Sequence, residues 1–463
     1  MPSHKHYNLS MLEDDVVLYS AGNTYQILNI KTGKKQIYFG TDSNGIGSVA
    51  VHPDRNYFAV AERGDWPNIY VYSYPDIKLY RIMRRNAEKA YSHIEFSNTG
   101  GYLASVANAP DYNLTVWDWK REQVILKCKA FSQEVYKASF SEYTDQQLIT
   151  GGTGHIKFWK MAQTFTGLKL QGEAAKYGAL EISDVFGFAE LPDGKILSGT
   201  EQGNMILWEG VLVKAHLVLD VVKKTPLHGG TIEIIKFIDD EFMTAGADGY
   251  LKWWSLAVIE AAEADEVLEV AIAPLKEKLI FDHELQKPAN LIHMAQCAAH
   301  WLFSDGNGKI WKIDRKSLDY KQVVAFHSGP IAELAIAPKL NAVFTCGKDG
   351  HVKLWDYVRD KEFLNQRFDG QATCMDIMPH FPSNLSRVVA VGYHSGVVRV
   401  LQANENELEI LKSFKAHERE LDENNKVVKQ LKYLKFAPDG SIFVTVTDSG
   451  ELFFFEISAM SDA

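Results

Sequence analysis

A short segment in which apolar and polar residues alternate, closing on an aromatic side chain, returns along the whole chain. It reads LTVWDW at Trp117, IKFWKM at Trp159, MILWEG at Trp208, LKWWSL at Trp254, GKIWKI at Trp311 and VKLWDY at Trp355. Weaker copies surround Leu28, Tyr72, Leu401 and Phe455. A period of two puts alternate side chains on opposite faces, so each segment reads as a β-strand. Successive anchors stand 44, 45, 42, 49, 46, 57, 44, 46 and 54 residues apart. That spacing fits a repeated unit of about 40–45 residues carrying some long loops.

Each unit also repeats its interior. A strand pattern precedes a turn such as His52-Pro-Asp-Arg-Asn, Leu191-Pro-Asp-Gly-Lys or Ala437-Pro-Asp-Gly-Ser. Proline pre-sets the turn backbone and glycine supplies positive φ, so these are hairpin signals. A small-residue strand follows, as in ILSGTEQG, FMTAGADG and VFTCGKDG, then a second turn and the aromatic strand. Strand, turn, strand, turn, strand is an antiparallel meander, and about ten copies predict an all-β chain of WD40-type β-propeller blades.

Ten units exceed the roughly 4–8 blades of one ring. The expected organisation is therefore two tandem propellers. Residues 12–315 form the first, with seven blades; 316–458 form further blades of a second, incomplete or shared ring; 459–463 are a tail. The long interval after Trp254 holds LAVIEAAEADEVLEVAIAPL, which reads either as a short helix or as an acidic loop along a strand edge. The charged stretch between Lys415 and Lys435 reads as a solvated insertion at a blade edge.

Polar residues recur at fixed offsets. Asp111, Asp248, Asp305 and Asp349 each stand six residues before an anchor Trp. Thr244 and Thr345 precede two of these Asp by four, while His228, His327 and His417 head three units. The pattern resembles the hydrogen-bonded Asp–His–Ser/Thr–Trp network of WD blades. It is most complete as His228, Thr244, Asp248, Trp254 and as His327, Thr345, Asp349, Trp355. Its recurrence marks architecture rather than catalysis. Thr153 and Gln202 occupy the Asp position in two other units, which are expected to rest on packing alone.

Composition narrows the function. The 463 residues are 46% hydrophobic and 23% charged, with a net charge of −10. Bulk disorder is excluded, and an acidic balance argues against nucleic acid as partner, since phosphate affinity needs a basic face. The start carries no basic cluster followed by an apolar run, and no stretch of about 18 apolar residues occurs, so neither a secretory leader nor a membrane span is expected. Cys128, Cys297, Cys346 and Cys374 form no CxxC pair, so neither a zinc site nor a disulfide framework is expected. No phosphate-loop, HExxH, GxSxG or kinase signature occurs. No catalytic residue, cofactor or metal is assigned, and the chain is read as non-enzymatic. Two basic runs, Lys31-Thr-Gly-Lys34-Lys35 and Arg81-Ile-Met-Arg84-Arg85, are read as solvated edges, the alternative being contact with an acidic filament such as tubulin.

Longer blocks are more specific than the repeat. The segments FSQEV, GHIKFW, TFTGLKLQG and LPDGKILSG, within 45–210, closely resemble the WD-repeat region of the cilia- and flagella-associated protein forty-four family. The likeness runs from about residue 12 to 458 and thins across 258–300. The chain is also distantly similar to the tandem propellers of echinoderm-type microtubule-binding proteins. The resemblance implies a non-enzymatic scaffold in the cytoskeleton of the cilium or flagellum. It would serve ciliary motility by holding inner-arm dynein to doublet microtubules, beside a paralogous WD-repeat protein and with tubulin as a further candidate partner. Family members carry long coiled coils after the propellers; none is read here, so functions of that helical part are not assigned. The alternative is a peptide-binding adaptor for a modification or degradation complex, for which a central basic pocket would be the signature.

Overall fold

The computed structural model describes residues 8–41, 44–238, 241–262, 268–297, 299–324, 327, 330–337, 340–359, 361–379, 387–418, 420–421 and 427–456. The expected tail, 459–463, lies outside the described residues. Two compact units divide the chain, Met1–Val324 and Ala325–Ala463.

The first unit is a succession of antiparallel meanders. Its opening sheet runs Leu9–Glu13, Val16–Ala21, Thr24–Asn29 and Lys35–Phe39, and among the described residues six further sheets of four or five strands follow in chain order. Their inner strands begin at Ile46, Tyr91, Val135, Phe188, Ile232 and Leu291. The second strand of each sheet is sandwiched between neighbouring sheets, and Leu103–Ala107 is buried at every position. The fourth strand lies outermost, and Lys35–Phe39 buries none of its residues fully. This gradient explains the composition, with small and β-branched residues inside and lysine-bearing strands at the edge. The inner strand of the seventh sheet, Leu291–Gln296, packs on that of the first, Leu9–Glu13. Within this unit the run of sheets thus closes on itself.

An expected joint at 315/316 falls inside the seventh sheet. Its outer strand, Tyr320–Val324, pairs with Ile310–Asp314, placing Tyr320 opposite Ile313. A four-stranded unit needs one strand beyond its anchor Trp, and a boundary drawn just past Trp311 omits it. The first strand likewise begins before residue 12, at Leu9.

The Ala- and Glu-rich interval opens as a helix, the first of the two alternatives, while its acidic stretch 263–267 lies outside the described residues. Leu256–Glu260 is a short helix. Glu269–Ala271 then pairs in parallel with Leu212–Val218 of the fifth sheet, with His216 opposite Glu269, covering that sheet's outer edge. Lys276–Leu279 returns as the outer strand of the sixth sheet.

The second unit holds two four-stranded sheets and one three-stranded sheet, hereafter the eighth, ninth and tenth, opening at Ile331, Ala372 and Leu431. Within the charged stretch after Lys415, Glu420–Leu421 pairs with Val427–Lys429. Lys429 Nζ lies 2.7 Å from Glu451 Oε1. Turn glycines allow close approach between sheets in both units. Gly203 and Gly396 have φ of +89° and +81°, and a Cβ there would lie 2.1 and 1.8 Å from the carbonyl oxygens of His228 and His417.

Candidate functional site

The anchor tryptophans obey one geometric rule. Each indole Nε1 donates to the side chain two residues beyond the Trp's cross-strand partner, which lies on the same face of the second strand. Trp117 pairs with Leu103 and donates to Ser105 Oγ at 2.9 Å. Trp159 pairs with Leu148 and donates to Thr150 Oγ1 at 2.9 Å. Trp208 pairs with Ile196 and reaches Ser198 Oγ at 2.8 Å. Trp254 and Trp355, opposite Phe242 and Val343, reach Thr244 and Thr345, each at 2.8 Å.

Two of these hydroxyls belong to the four-residue networks read from the sequence. His228 Nδ1 lies 3.0 Å from Asp248 Oδ1, and its Nε2 lies 2.7 Å from Thr244 Oγ1. Donor counting assigns the protons: Nδ1–H to Asp248, the Thr244 hydroxyl to Nε2, and the Trp254 N–H to the Thr244 oxygen. Burial pushes the Asp248 carboxyl upward, but the hydrogen bonds from His228 and from the Gly229 and Tyr250 amides hold it below its ordinary value. The second network repeats the first. His327 Nδ1 lies 3.1 Å from both Asp349 oxygens and Nε2 lies 2.8 Å from Thr345 Oγ1. His417 Nε2 reaches Thr445 Oγ1 at 2.8 Å, but the anchor of that unit is Phe455, which has no N–H to offer.

Three readings are corrected. The units of Trp159 and Trp208 do not rest on packing alone, because Thr150 and Ser198 accept their indoles; Gln202 Oε1 also accepts Ser183 Oγ at 3.2 Å. Asp111 is no partner of the Trp117 network, and its Oδ2 instead accepts the Glu88 amide at 2.6 Å. Asp305 takes the hydroxyl's place, not the aspartate's. It lies two residues past Phe303, the partner of Trp311, and accepts the indole directly at 2.9 Å. The hairpin there is shorter, so a six-residue offset reaches the strand end instead of the turn. Burial raises the Asp305 carboxyl above its ordinary value. Nearby, Lys309 Nζ sits 2.8 Å from Asp282 Oδ2 and 2.6 Å from Glu284 Oε2, with Lys309 and Asp282 both buried.

A polar cavity of about 160 Å³ lies among the inner strands of the first unit. Its charged lining is mixed: Lys137 and Lys236 against Glu95 and Glu233, with His93 and His293 between. Lys137 Nζ donates to Phe188 O at 3.2 Å, and burial, aided by the charge of Lys236, pushes its ammonium down to about 7. Burial acts upward on Glu95, but the His93 hydrogen bond, the charges of His93 and Lys137, and the Ser139 hydroxyl at 2.7 Å together hold it below its ordinary value. Cations and carboxylates balance, so this is no basic socket for an acidic peptide. Of the two basic runs, Arg81 donates to Lys120 O at 2.7 Å and Arg84 lies 3.6 Å from Glu122, whereas Lys31 and Lys34 are exposed and Lys35 is half-buried. Among the described residues no helix is long and apolar enough to cross a membrane, and no group of three His, Cys, Asp or Glu could hold a metal ion.

Comparison with known proteins agrees with this geometry. The family model "Echinoderm microtubule-associated protein first beta-propeller" matches residues 34–276, slightly over half of the chain. The chain belongs to this β-propeller family. A second model, "WD domain, G-beta repeat", matches 320–356, the segment that carries Thr345, Asp349 and Trp355. Among curated relatives, cilia- and flagella-associated protein 44 of Mus musculus is 39% identical over 98% of the chain and 25% of that protein. The Chlamydomonas reinhardtii protein of the same name is 32% identical over 99% of the chain and 26% of its own length, and that of Trypanosoma brucei brucei is 33% identical over 78% and 22%. The chain thus spans about a quarter of the length of these relatives.

In this propeller-family chain, Ser105, Thr150 and Asp305 escaped a reading by linear offset because hairpin length varies between sheets, whereas Ser198 shares the offset of Thr244 and Thr345 but was passed over with Gln202 at the Asp position. The acceptors stand 12, 9, 10 and 6 residues before Trp117, Trp159, Trp208 and Trp311. Strand register, not spacing, selects them.

Proposed function

We propose that this chain is a non-enzymatic WD-repeat scaffold of the ciliary or flagellar axoneme, helping to hold inner-arm dynein components on doublet microtubules. The observation that carries the reading is the likeness, over nearly all of its length, to proteins named for cilia and flagella. The geometry supports a passive, load-bearing role. Sheets in the first unit close on themselves, and six anchor indoles are fastened to neighbouring strands within their sheets. Such a body presents rigid faces and independently variable loops, which suits holding partners in fixed positions. Its partners are proteins: other components of the dynein tether, including a paralogous WD-repeat protein, and the tubulin surface beneath. We take the two compact units as one closed propeller and further blades of a second, with the His228 and His327 networks as structural fastenings. Cross-linking mass spectrometry on isolated axonemes of cells expressing the tagged chain tests the reading. Cross-links to inner-arm dynein tether components are expected, and cross-links confined to soluble cytosolic proteins would overturn it.

A further inference from the structure

Repetition lets positions in different sheets be matched by register. Trp117 pairs with Leu103 and, after a one-residue slip, with Val124. In the ninth sheet Leu401 pairs with Val389 and, after the same slip, with Ile410. Trp119, two residues past Trp117, therefore corresponds to Ala403. The preceding sheets align likewise. Tyr72, between Phe58 and Leu79, matches Trp355, between Val343 and Glu362. Tyr57 then corresponds to Ala342 and Tyr80 to Phe363.

In the first unit this inter-sheet position is full. Trp119 is completely buried, with its ring centroid 5.3 Å from those of His52 and Tyr57, 5.4 Å from Phe96 and 6.2 Å from Tyr80. Its Nε1 donates to Gly100 O at 2.9 Å. In the second unit the equivalent of Tyr57 is Ala342, that of Trp119 is Ala403, and Ile377, opposite Val389, stands where Phe96 stands opposite Leu103. The lost ring volume leaves an open groove of about 350 Å³ between the eighth and ninth sheets, walled by Ala342, Leu354, Phe363, Leu364 and Ala403. Phe363 is 48% exposed along it. Ala342, Leu354, Leu364 and Ala403 are buried at its floor, so Phe363 is its exposed apolar wall, and buried apolar cavities of about 150 Å³ already take up a single aromatic ring.

We propose that this groove receives one aromatic side chain, an indole or phenol, presented by a peptide segment of a partner protein. The chain's own Trp119 defines the ring that fits the equivalent place. Charge at the mouth refines the partner. Arg387 lines the groove and forms no ion pair among the described residues, so it matches a carboxylate beside the ring. Glu405 lines it too, which disfavours a run of several acidic residues. The inference stands independently of the ciliary reading.

The test is a titration of the full chain with N-acetyltryptophan and N-acetyltryptophanamide, followed by ligand-observed NMR. Both are expected to bind saturably, the free carboxylate about two- to fivefold more tightly, as an exposed ion pair allows. Arg387→Gln should erase that difference, and Ala403→Trp should abolish binding by plugging the groove. Photo-cross-linking of the wild-type chain with a diazirine-bearing indole does not depend on either variant folding. Label on peptides containing Phe363–Leu364 or Ala403–Glu405 is expected. Absence of saturable binding, unchanged binding to folded Ala403→Trp, or label confined to other peptides would overturn the proposal.

Discussion

Asp305 Oδ2 accepts the indole N–H of Trp311 at 2.9 Å, in the place where five other sheets use a serine or threonine hydroxyl. One acceptor per anchor is thus kept even where the hairpin is too short for the usual arrangement. Removing an acceptor strands a buried indole N–H, which costs about 1–3 kcal/mol. Ser105→Ala, Thr150→Val and Ser198→Ala are each expected to lower the urea midpoint of the first unit by a comparable amount. Asp305→Ala should sit at the upper end, because Asp305 also accepts the Asn307 and Lys309 amides at 2.9 Å. Denaturation that leaves the midpoints of all four variants unchanged would contradict the rule.

Lys309 bridges two carboxylates, Asp282 and Glu284, with Lys309 and Asp282 both buried. Taking away one partner of a buried pair leaves an uncompensated charge and typically costs about 3–5 kcal/mol. Lys309→Met should therefore destabilise the first unit more than any of the single hydroxyl changes. The double change Lys309→Met with Asp282→Leu should recover part of the loss, because it removes one of the stranded carboxylates as well. Differential scanning calorimetry of the two variants checks both statements.

The Lys137 ammonium is pushed by burial down to about 7, below its ordinary value of 10.5. The sign follows from proton counting. Between these two values the unfolded chain binds the extra proton and the folded chain does not, so this group makes stability rise with pH over that window and level off below about 7, where both states are protonated. Urea midpoints measured from pH 6.5 to 10 should climb in the wild type. Lys137→Met should flatten that rise while leaving the slopes from other groups in place. A wild-type profile that is flat or falling over this range, with no difference in Lys137→Met, would contradict the assignment.

Two thiols report on the second unit. Burial pushes Cys346 and Cys374 up to about 12, so at neutral pH both are protonated and shielded. The thiolate is the reacting species. Neither is expected to react appreciably with iodoacetamide in the folded chain at pH 7.5. Both should be labelled together once urea opens the unit, and rapid labelling without denaturant would show that their packing is wrong.

Much of the fold is legible in the sequence because its signal is periodic. Aromatic strands such as LTVWDW and VKLWDY lie between neighbouring sheets, buried at nearly every position, and their return at near-constant spacing reveals them. The His228 and His327 networks are legible because their hairpins have equal length, which keeps linear offsets constant. Asp305 shows where that logic fails: a shorter hairpin places an aspartate at the familiar offset but in another strand position. Ser105 and Thr150 were passed over for the converse reason, since small hydroxyl residues carry no distinctive pattern until cross-strand register is known. Lys309 was equally silent, because its partners Asp282 and Glu284 lie more than twenty residues earlier on a separate short ladder.

The most direct measurement is the partition of the tagged chain in fractionated flagella, expressed in a cell lacking its own copy. A scaffold of the axoneme should remain with the detergent-insoluble doublets and leave them only at high salt. Recovery of the chain in the detergent-soluble fraction, with no axonemal pool, would contradict the proposed role.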